Sequence, residues 1–142
     1  MPEEPLHIVV AAVCLRDAEG RLLSVRKRGT QAFMLPGGKL EAGETPAQAA
    51  AREAREEVGV EVADLALLGE FVSAAANEPG AVLTSTVFTA TAATAPVVDG
   101  EIEELRWLDL AALPDDVPVA PMLRHHVAPA LLARDAADVD RL

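Results

Sequence analysis

The stretch PGGKLEAGETPAQAAAREAREEVGV, residues 36–60, carries a helix start in its middle. Thr45 is placed to cap that helix, Pro46 suits its first position, and Gln48 completes a capping box. Gly59 falls where a left-handed residue ends a helix, so the spacing predicts a helix over 46–58. Ala47, Ala50, Ala51, Ala54 and Val58 recur at helical spacing, small enough to let the helix lie close to a sheet. Glu53, Glu56 and Glu57 share another face, and like charges three or four apart cost about 0.2–0.5 kcal/mol per pair. Glu56 and Glu57 also occupy the last turn, where the helix dipole disfavours negative charge. A solvated acidic face is the ordinary explanation for glutamates on a helix. It does not account for the Gly37-Gly38 turn, for Glu44 just before the cap, or for Arg52 one turn before Glu56. Oxygen ligands clustered on one rigid helix suit a hard divalent cation such as Mg²⁺.

Outward from this stretch, strands and helices alternate. Residues 6–15 form a near-continuous apolar run, as in a strand covered on both faces. Asp17 and Gly20 supply a turn into LLSVRK, and the two strands are expected to form a hairpin. RGTQAF reads as a loop. DLALLGEFVSAA, the turn NEPG and AVLTSTVFTATA read as a second hairpin, and LRWLDL as a short strand. PMLRHHVAPALLARDAADV reads as a helix with Pro129 a kink or break. The expected fold is α/β, a mixed sheet between helical layers, in a single domain over 1–142.

Gly38, Glu44, Arg52, Glu53, Glu56, Glu57, Gly59 and Val60 together resemble the signature of the MutT-like Nudix hydrolases. That signature runs Gly, five residues, Glu, seven residues, then Arg-Glu-aliphatic-any-Glu-Glu-any-Gly-aliphatic. It spans residues 38–60 here, and Ala54 is smaller than the family's usual aliphatic, a change in packing rather than chemistry. No Gly-Lys-Ser/Thr follows the glycines, so the turn is not a P-loop. The resemblance implies the Nudix α/β/α sandwich over nearly the whole chain. It also implies Mg²⁺-dependent hydrolysis of a diphosphate linkage in a nucleoside diphosphate derivative, with Mn²⁺ able to substitute.

Under that resemblance Glu56 and Glu57 are the first candidates for metal ligands, with the Gly37 carbonyl added from the turn. Glu53 is a further ligand or the general base. Arg52 orients the carboxylates through charge-assisted hydrogen bonds, and Glu44 belongs to the same network or ties the loop to the helix. Family members often place another carboxylate on a later loop; of Asp99, Glu101, Glu103 and Glu104, Glu101 directly after Gly100 is the choice. For substrate, Arg26 and Arg28 in RKRG (residues 26–29) and Lys39 are candidates for phosphate, and Phe33 is the candidate for stacking on a base. His125 and His126 have no metal-ligand spacing.

Composition bounds the partners. Twelve Lys and Arg against 23 Asp and Glu give a net charge of −11, which opposes sequence-independent binding to a nucleic-acid backbone. A small phosphorylated substrate remains compatible when metal ions stand between the charges. No apolar run reaches the ~18 residues of a membrane span. The single Cys14 excludes an internal disulfide and suits a reducing cytoplasm. The chain is thus expected to act on a small nucleotide as a monomer or homodimer, without nucleic acid or membrane. A triphosphate cleaved to monophosphate and pyrophosphate is the first choice; ADP-ribose or a nucleotide sugar is the alternative. A regulatory module on the same fold would normally have lost the motif's acids, which this chain keeps.

Overall fold

The computed structural model describes residues 6–140. Strand β1 (His7–Cys14) is central because both its faces are apolar. Ala11 and Val13 pack into one core layer and Ala12 and Cys14 into another, the period-2 consequence of a strand between two cores. β1 joins a four-stranded sheet in the order β3-β1-β5-β4, with β3 (Gly37–Lys39), β4 (Val62–Ala74) and β5 (Val82–Ala92). β1 runs parallel to β5 and antiparallel to β3, so the sheet is mixed. The expected β4–β5 hairpin forms, with two register shifts along its ladder.

The expected β1–β2 hairpin does not form as a ladder. β2 (Leu22–Lys27) pairs with β6 (Ile102–Leu108) in a separate two-stranded sheet. The Asp17 turn does form, its carboxylate accepting the N–H groups of Glu19 and Arg21. Beyond one bridge at Leu22, however, β2 finds both edges of β1 already taken by β3 and β5.

Helix α1 (Pro46–Val58) occupies the expected residues. Thr45 and Gln48 exchange both capping-box hydrogen bonds, and Gly59 is left-handed at φ 66°. Its buried stripe is rotated slightly from the expected one: Ala49, Ala50, Ala54 and Val58 are buried, while Ala47 and Ala51 are only half-buried. The residues small enough to meet the sheet are therefore the Ala49-Ala50 pair, and the rotation carries Glu57 inward. α1 covers one face of the four-stranded sheet at Ala11 and Val13, and Leu23 and Val25 of β2 join the same core.

The opposite face is covered by the C-terminal helix. It winds as a π-helix over Leu123–Val127 and continues as α2 (Ala128–Asp140). The Ala128 N–H donates to the Leu123 carbonyl, five residues back. Pro129 has no N–H to offer His125 and its ring crowds that carbonyl; the wide turn directly before it absorbs both effects. Pro129 thus widens the helix rather than breaking it. Leu123, Val127 and Leu131 bury against Ala12, Cys14 and Val87. The result is the expected layering of helix, mixed sheet and helix. No helix among the described residues is long and apolar enough to cross a membrane.

Candidate active site

The crowding of carboxylates on α1 is resolved by Arg52. Its guanidinium makes a fork with Glu44, Nε donating to Oε2 at 2.7 Å and Nη2 to Oε1 at 2.9 Å. Nη1 donates to Glu53 at 2.8 Å and to Glu56 at 3.2 Å, and Nη2 reaches the Lys39 carbonyl at 3.1 Å. One planar cation thus ties the loop before the helix, the helix and strand β3 together, a geometry the lysine ammonium lacks. The Arg52 hydrogen bonds and the Glu41 N–H hold the Glu44 carboxyl down at about 2, and Glu44 in turn raises Arg52 above its ordinary value.

Glu57 stands apart from this network. It is one of three buried polar side chains among the described residues, 5% exposed. Its Oε1 accepts the Gly37 N–H at 2.8 Å and its Oε2 lies 3.7 Å from the Lys27 ammonium. Burial dominates, and pushes its carboxyl up to about 7. Glycine is needed at Gly37, where a Cβ would strike the Ala11 carbonyl, while a Cβ on Gly38 would lie 2.6 Å from Glu53 Oε1 and displace that carboxylate.

The last turn of α1 is held from outside by residues 97–101. The Val97 N–H donates to the Val58 carbonyl and the Asp99 N–H to the Glu57 carbonyl, each at 3.0 Å. These contacts satisfy carbonyls that a helix end leaves free. Gly100, at φ 54°, lies against the Glu56 carbonyl so closely that a Cβ would come within 2.9 Å of it. The strap then delivers Glu101 to the cleft, its carbonyl fixed by the Arg28 N–H. Its neighbours point elsewhere: Asp99 turns back to the Gly100 N–H, Glu103 pairs with Arg28 and Glu104 with Arg26.

These groups line one end of a cleft of about 860 Å³, within the usual size of a small-ligand site. Glu53, Glu56, Glu57 and Glu101 line it with Lys27, Lys39 and Arg52. The carboxylates of Glu53, Glu56 and Glu101, the buried one of Glu57, and peptide carbonyls are hard oxygen donors that fit a divalent cation. The burial of Glu57, only partly offset by the Gly37 N–H and Lys27, is the observation that points to one, since a cation there offsets the rest of the cost of its charge. As they stand, no three acidic, His or Cys side chains among the described residues converge on one point. Glu53 and Glu56 are turned to Arg52, and Glu56, with its side chain 57% exposed, has room to turn.

A family model for the NUDIX domain matches residues 5–127. The chain belongs to the NUDIX family. Over 57 residues it is 46% identical to an RNA pyrophosphohydrolase of Halorhodospira halophila, a match spanning 40% of this chain and 32% of that one. Over 73 residues it is 37% identical to an 8-oxo-dGTP diphosphatase of Proteus vulgaris, spanning 48% and 62%. Each match thus covers less than two thirds of the curated relative. A MutT NUDIX hydrolase from Burkholderia pseudomallei superposes with a TM-score of 0.67 at 26% identity, over 77% of this chain and 88% of that one.

Within this NUDIX domain, three of the residues expected to meet substrate lie away from the cleft. Phe33 is 2% exposed, its backbone bonded to Pro118 and Ala120, so it is a core ring and not a stacking platform. Arg26 turns to Glu104 at 3.2 Å and Arg28 to Glu103 at 3.4 Å, and neither lines the cleft. Lys39 does line it. The cation missed between the two arginines is Lys27. Side chains alternate along a strand, so the acids of β6 claim Arg26 while Lys27 faces Glu57. That alternation was the available signal.

Proposed function

We propose that this NUDIX protein is a divalent-metal-dependent pyrophosphohydrolase that cleaves a nucleoside triphosphate to the monophosphate and pyrophosphate. The observation that carries the reading is the set of glutamates on α1 facing one cleft with Lys27 and Lys39, around a carboxylate buried without a full counter-charge. We assign Glu53, Glu56, Glu57, the Gly37 carbonyl and Glu101 as the groups that hold Mg²⁺, for which Mn²⁺ can substitute. Such an ion, when bound, neutralises charge on the phosphoryl oxygens and makes water a better nucleophile.

The chain's own residues do the rest. Lys27 and Lys39 attract the phosphates. Glu53 is either one of those ligands or the base that takes a proton from the attacking water, and Arg52 with Glu44 keeps the carboxylates in register without touching substrate. The net charge of −11 favours a free nucleotide over an RNA end, because a long phosphate backbone would meet a surface of its own sign. The Proteus relative's name, which specifies a nucleoside triphosphate, supports the same substrate class.

The test is to strip metal with chelator, restore Mg²⁺, and identify products from nucleoside triphosphates, ADP-ribose, nucleotide sugars and dinucleoside polyphosphates. Activity should vanish without metal, and triphosphates should give monophosphate plus pyrophosphate. Exclusive cleavage of ADP-ribose to AMP and ribose 5-phosphate would replace the substrate class. Full activity in the metal-free sample would end the mechanism.

A further inference from the structure

Strand β4 ends the four-stranded sheet, and among the described residues no strand pairs with its far side. Its two halves differ. Over residues 63–69 the ladder to β5 shifts twice, Asp64 takes a left-handed φ of 57°, and Arg134 Nη2 donates to the Leu67 carbonyl at 2.9 Å. Bulges and a covering side chain of this kind keep an open strand from pairing with another chain. Over residues 69–74 none of these devices appears. The register with β5 runs unbroken there, and Glu70, Val72 and Ala74 are exposed. Glu70 is the one charged residue in the stretch 65–77, within a chain whose net charge is −11.

The ladder fixes where the free backbone groups point. The Ala75 N–H donates to the Ala81 carbonyl at 3.1 Å, one position past the Ala74–Val82 pair, and the Val82 N–H turns away to Leu6. Bonded and non-bonded pairs alternate along an antiparallel ladder. Ser73 and Phe71 therefore bond to β5, while Ala74, Val72 and Glu70 aim their N–H and C=O groups at the open edge. The Ser73 hydroxyl takes one lone pair of the Ala74 carbonyl at 3.0 Å and leaves the other. A second copy of this segment, antiparallel about a twofold axis at Val72, meets all of these groups. Val72 exchanges two hydrogen bonds with its own counterpart, and Glu70 exchanges two with Ala74 on each side of the axis. The two Glu70 side chains then stand four positions, or about 14 Å, apart, beyond the ~8 Å over which exposed charges interact at physiological salt. On the same face Val9 and Val72, 55% and 57% exposed, flank Thr84 in one row across β1, β5 and β4. The axis continues that row into its own copy.

We infer that the chain forms a homodimer by pairing β4 with β4 about Val72, joining the two four-stranded sheets into one. The twofold match of bond direction, face and charge selects a second copy as the occupant of this edge. Ala74, at the end of the ladder, also lines the cleft, so the contact reaches the cleft rim. Sedimentation of the Mg²⁺-equilibrated chain from low micromolar to millimolar concentration should carry the mass from 14.9 kDa to twice that value. Added salt should favour the dimer by screening two acidic chains. Two substitutions attack the axis without touching the ladder to β5. Val72→Pro removes an N–H that points outward, a place where an edge strand tolerates proline. Val72→Glu sets two carboxylates face to face. Each should raise the dissociation constant at least about tenfold, the weight of like charges or lost bonds at a contact. Val72→Thr, β-branched and uncharged, should dimerise like wild type. Amide exchange then locates the contact: the Glu70, Val72 and Ala74 N–H groups should slow on concentration, and those of residues 63–67 should not.

Wild-type protein that sediments as a monomer at every concentration would overturn the inference. A dimer that Val72→Pro and Val72→Glu both leave intact would do the same, by placing the contact on another face. So would a dimer in which the Glu70, Val72 and Ala74 amides exchange as fast as in the monomer. None of these readouts involves diphosphate cleavage, so the pyrophosphohydrolase reading stands or falls separately.

Discussion

The two ends of the cleft are built on opposite rules. At the acid end one cation organises the carboxylates: Arg52 alone engages Glu44, Glu53, Glu56 and the Lys39 carbonyl. At the other end Ile8, Val10, Leu83, Met122 and Leu123 form apolar walls, with the Ser85 hydroxyl open to the cleft between them. A pre-wired network fixes geometry before substrate arrives, which suits chemistry that depends on electrostatic preorganisation. A lone polar group in an apolar wall contributes only when the right partner enters, which suits selection. Substitutions among the carboxylates of the acid end should therefore act first on turnover.

The sharpest way to break this contrast is Glu57→Gln. The amide keeps the shape and can still accept the Gly37 N–H, but it removes the buried charge. Turnover should fall at least about a hundredfold, because a ligand to the metal stabilises charge in the transition state. Thermal melting should show no loss of stability, since burial already opposes that charge. Near-normal turnover would show that Glu57 is a structural acid.

Next in size is Gly100→Ala. The methyl group forces a side chain into a left-handed conformation and towards the Glu56 carbonyl, at 2.9 Å. The strap that splints the last turn of α1 and carries Glu101 must then shift, and a displacement near 1 Å at a reacting centre costs about a hundredfold. Gly20→Ala is the control. It has comparable backbone strain, at φ 80°, but its Cβ would meet only the end of the flexible Arg16 side chain at 3.4 Å. Gly20→Ala should lower the melting temperature without the kinetic loss; equal kinetic effects would reduce the strap to general stability.

A smaller effect is expected from pH in the metal-free protein. Glu57 titrates near 7 when folded, against 4.5 as its ordinary value. Between those values the folded state holds a proton that the unfolded state has lost, so stability falls as pH rises through this window. The full difference corresponds to about 3 kcal/mol. Denaturant melts at pH 5 and pH 8 should show the loss in chelator, and Mg²⁺ should reverse it at pH 8. A stability independent of pH across that window would mean that the Glu57 charge is already compensated.

The same contrast explains what could be read in advance. The acid end is local in sequence: cap, Gly turn and glutamates fall within residues 36–60, and their spacing alone places them on one helix. The ends of α1 followed from Thr45, Pro46, Gln48 and Gly59 for the same reason. Glu101 came from the family resemblance and the loop's composition, and the structure brings it to the cleft that the helix acids line. The apolar end is made by sheet pairing between residues as distant as Val10 and Ser85, and nothing local marks either residue as lining a cleft. Phe33 was misplaced on similar grounds. A phenylalanine in a loop reads as available, but this loop is bridged to Val119 and its ring is buried. The failed β1–β2 hairpin also reflects competition between strands that no single segment displays.

The smallest expected effect tests the cations of residues 26–28, where adjacent side chains have opposite fates. Arg26 and Arg28 are drawn to Glu104 and Glu103 at 3.2 and 3.4 Å, whereas Lys27 faces the buried Glu57 at 3.7 Å. Exposed ion pairs of this kind contribute about 0–1 kcal/mol, so Arg28→Ala should leave KM within about twofold and the melting point nearly unchanged. Arg26→Ala should likewise spare KM, though the loss of its bond to the Thr30 carbonyl at 3.1 Å should lower stability slightly. Lys27→Ala should instead raise KM for the triphosphate severalfold more than either arginine change, because it removes a positive charge that lines the cleft. Steady-state kinetics on the three variants under one salt condition decides the matter. An arginine change that matched Lys27→Ala would mean that the β6 acids release their partners when substrate binds. The acid end would then extend across both sheets.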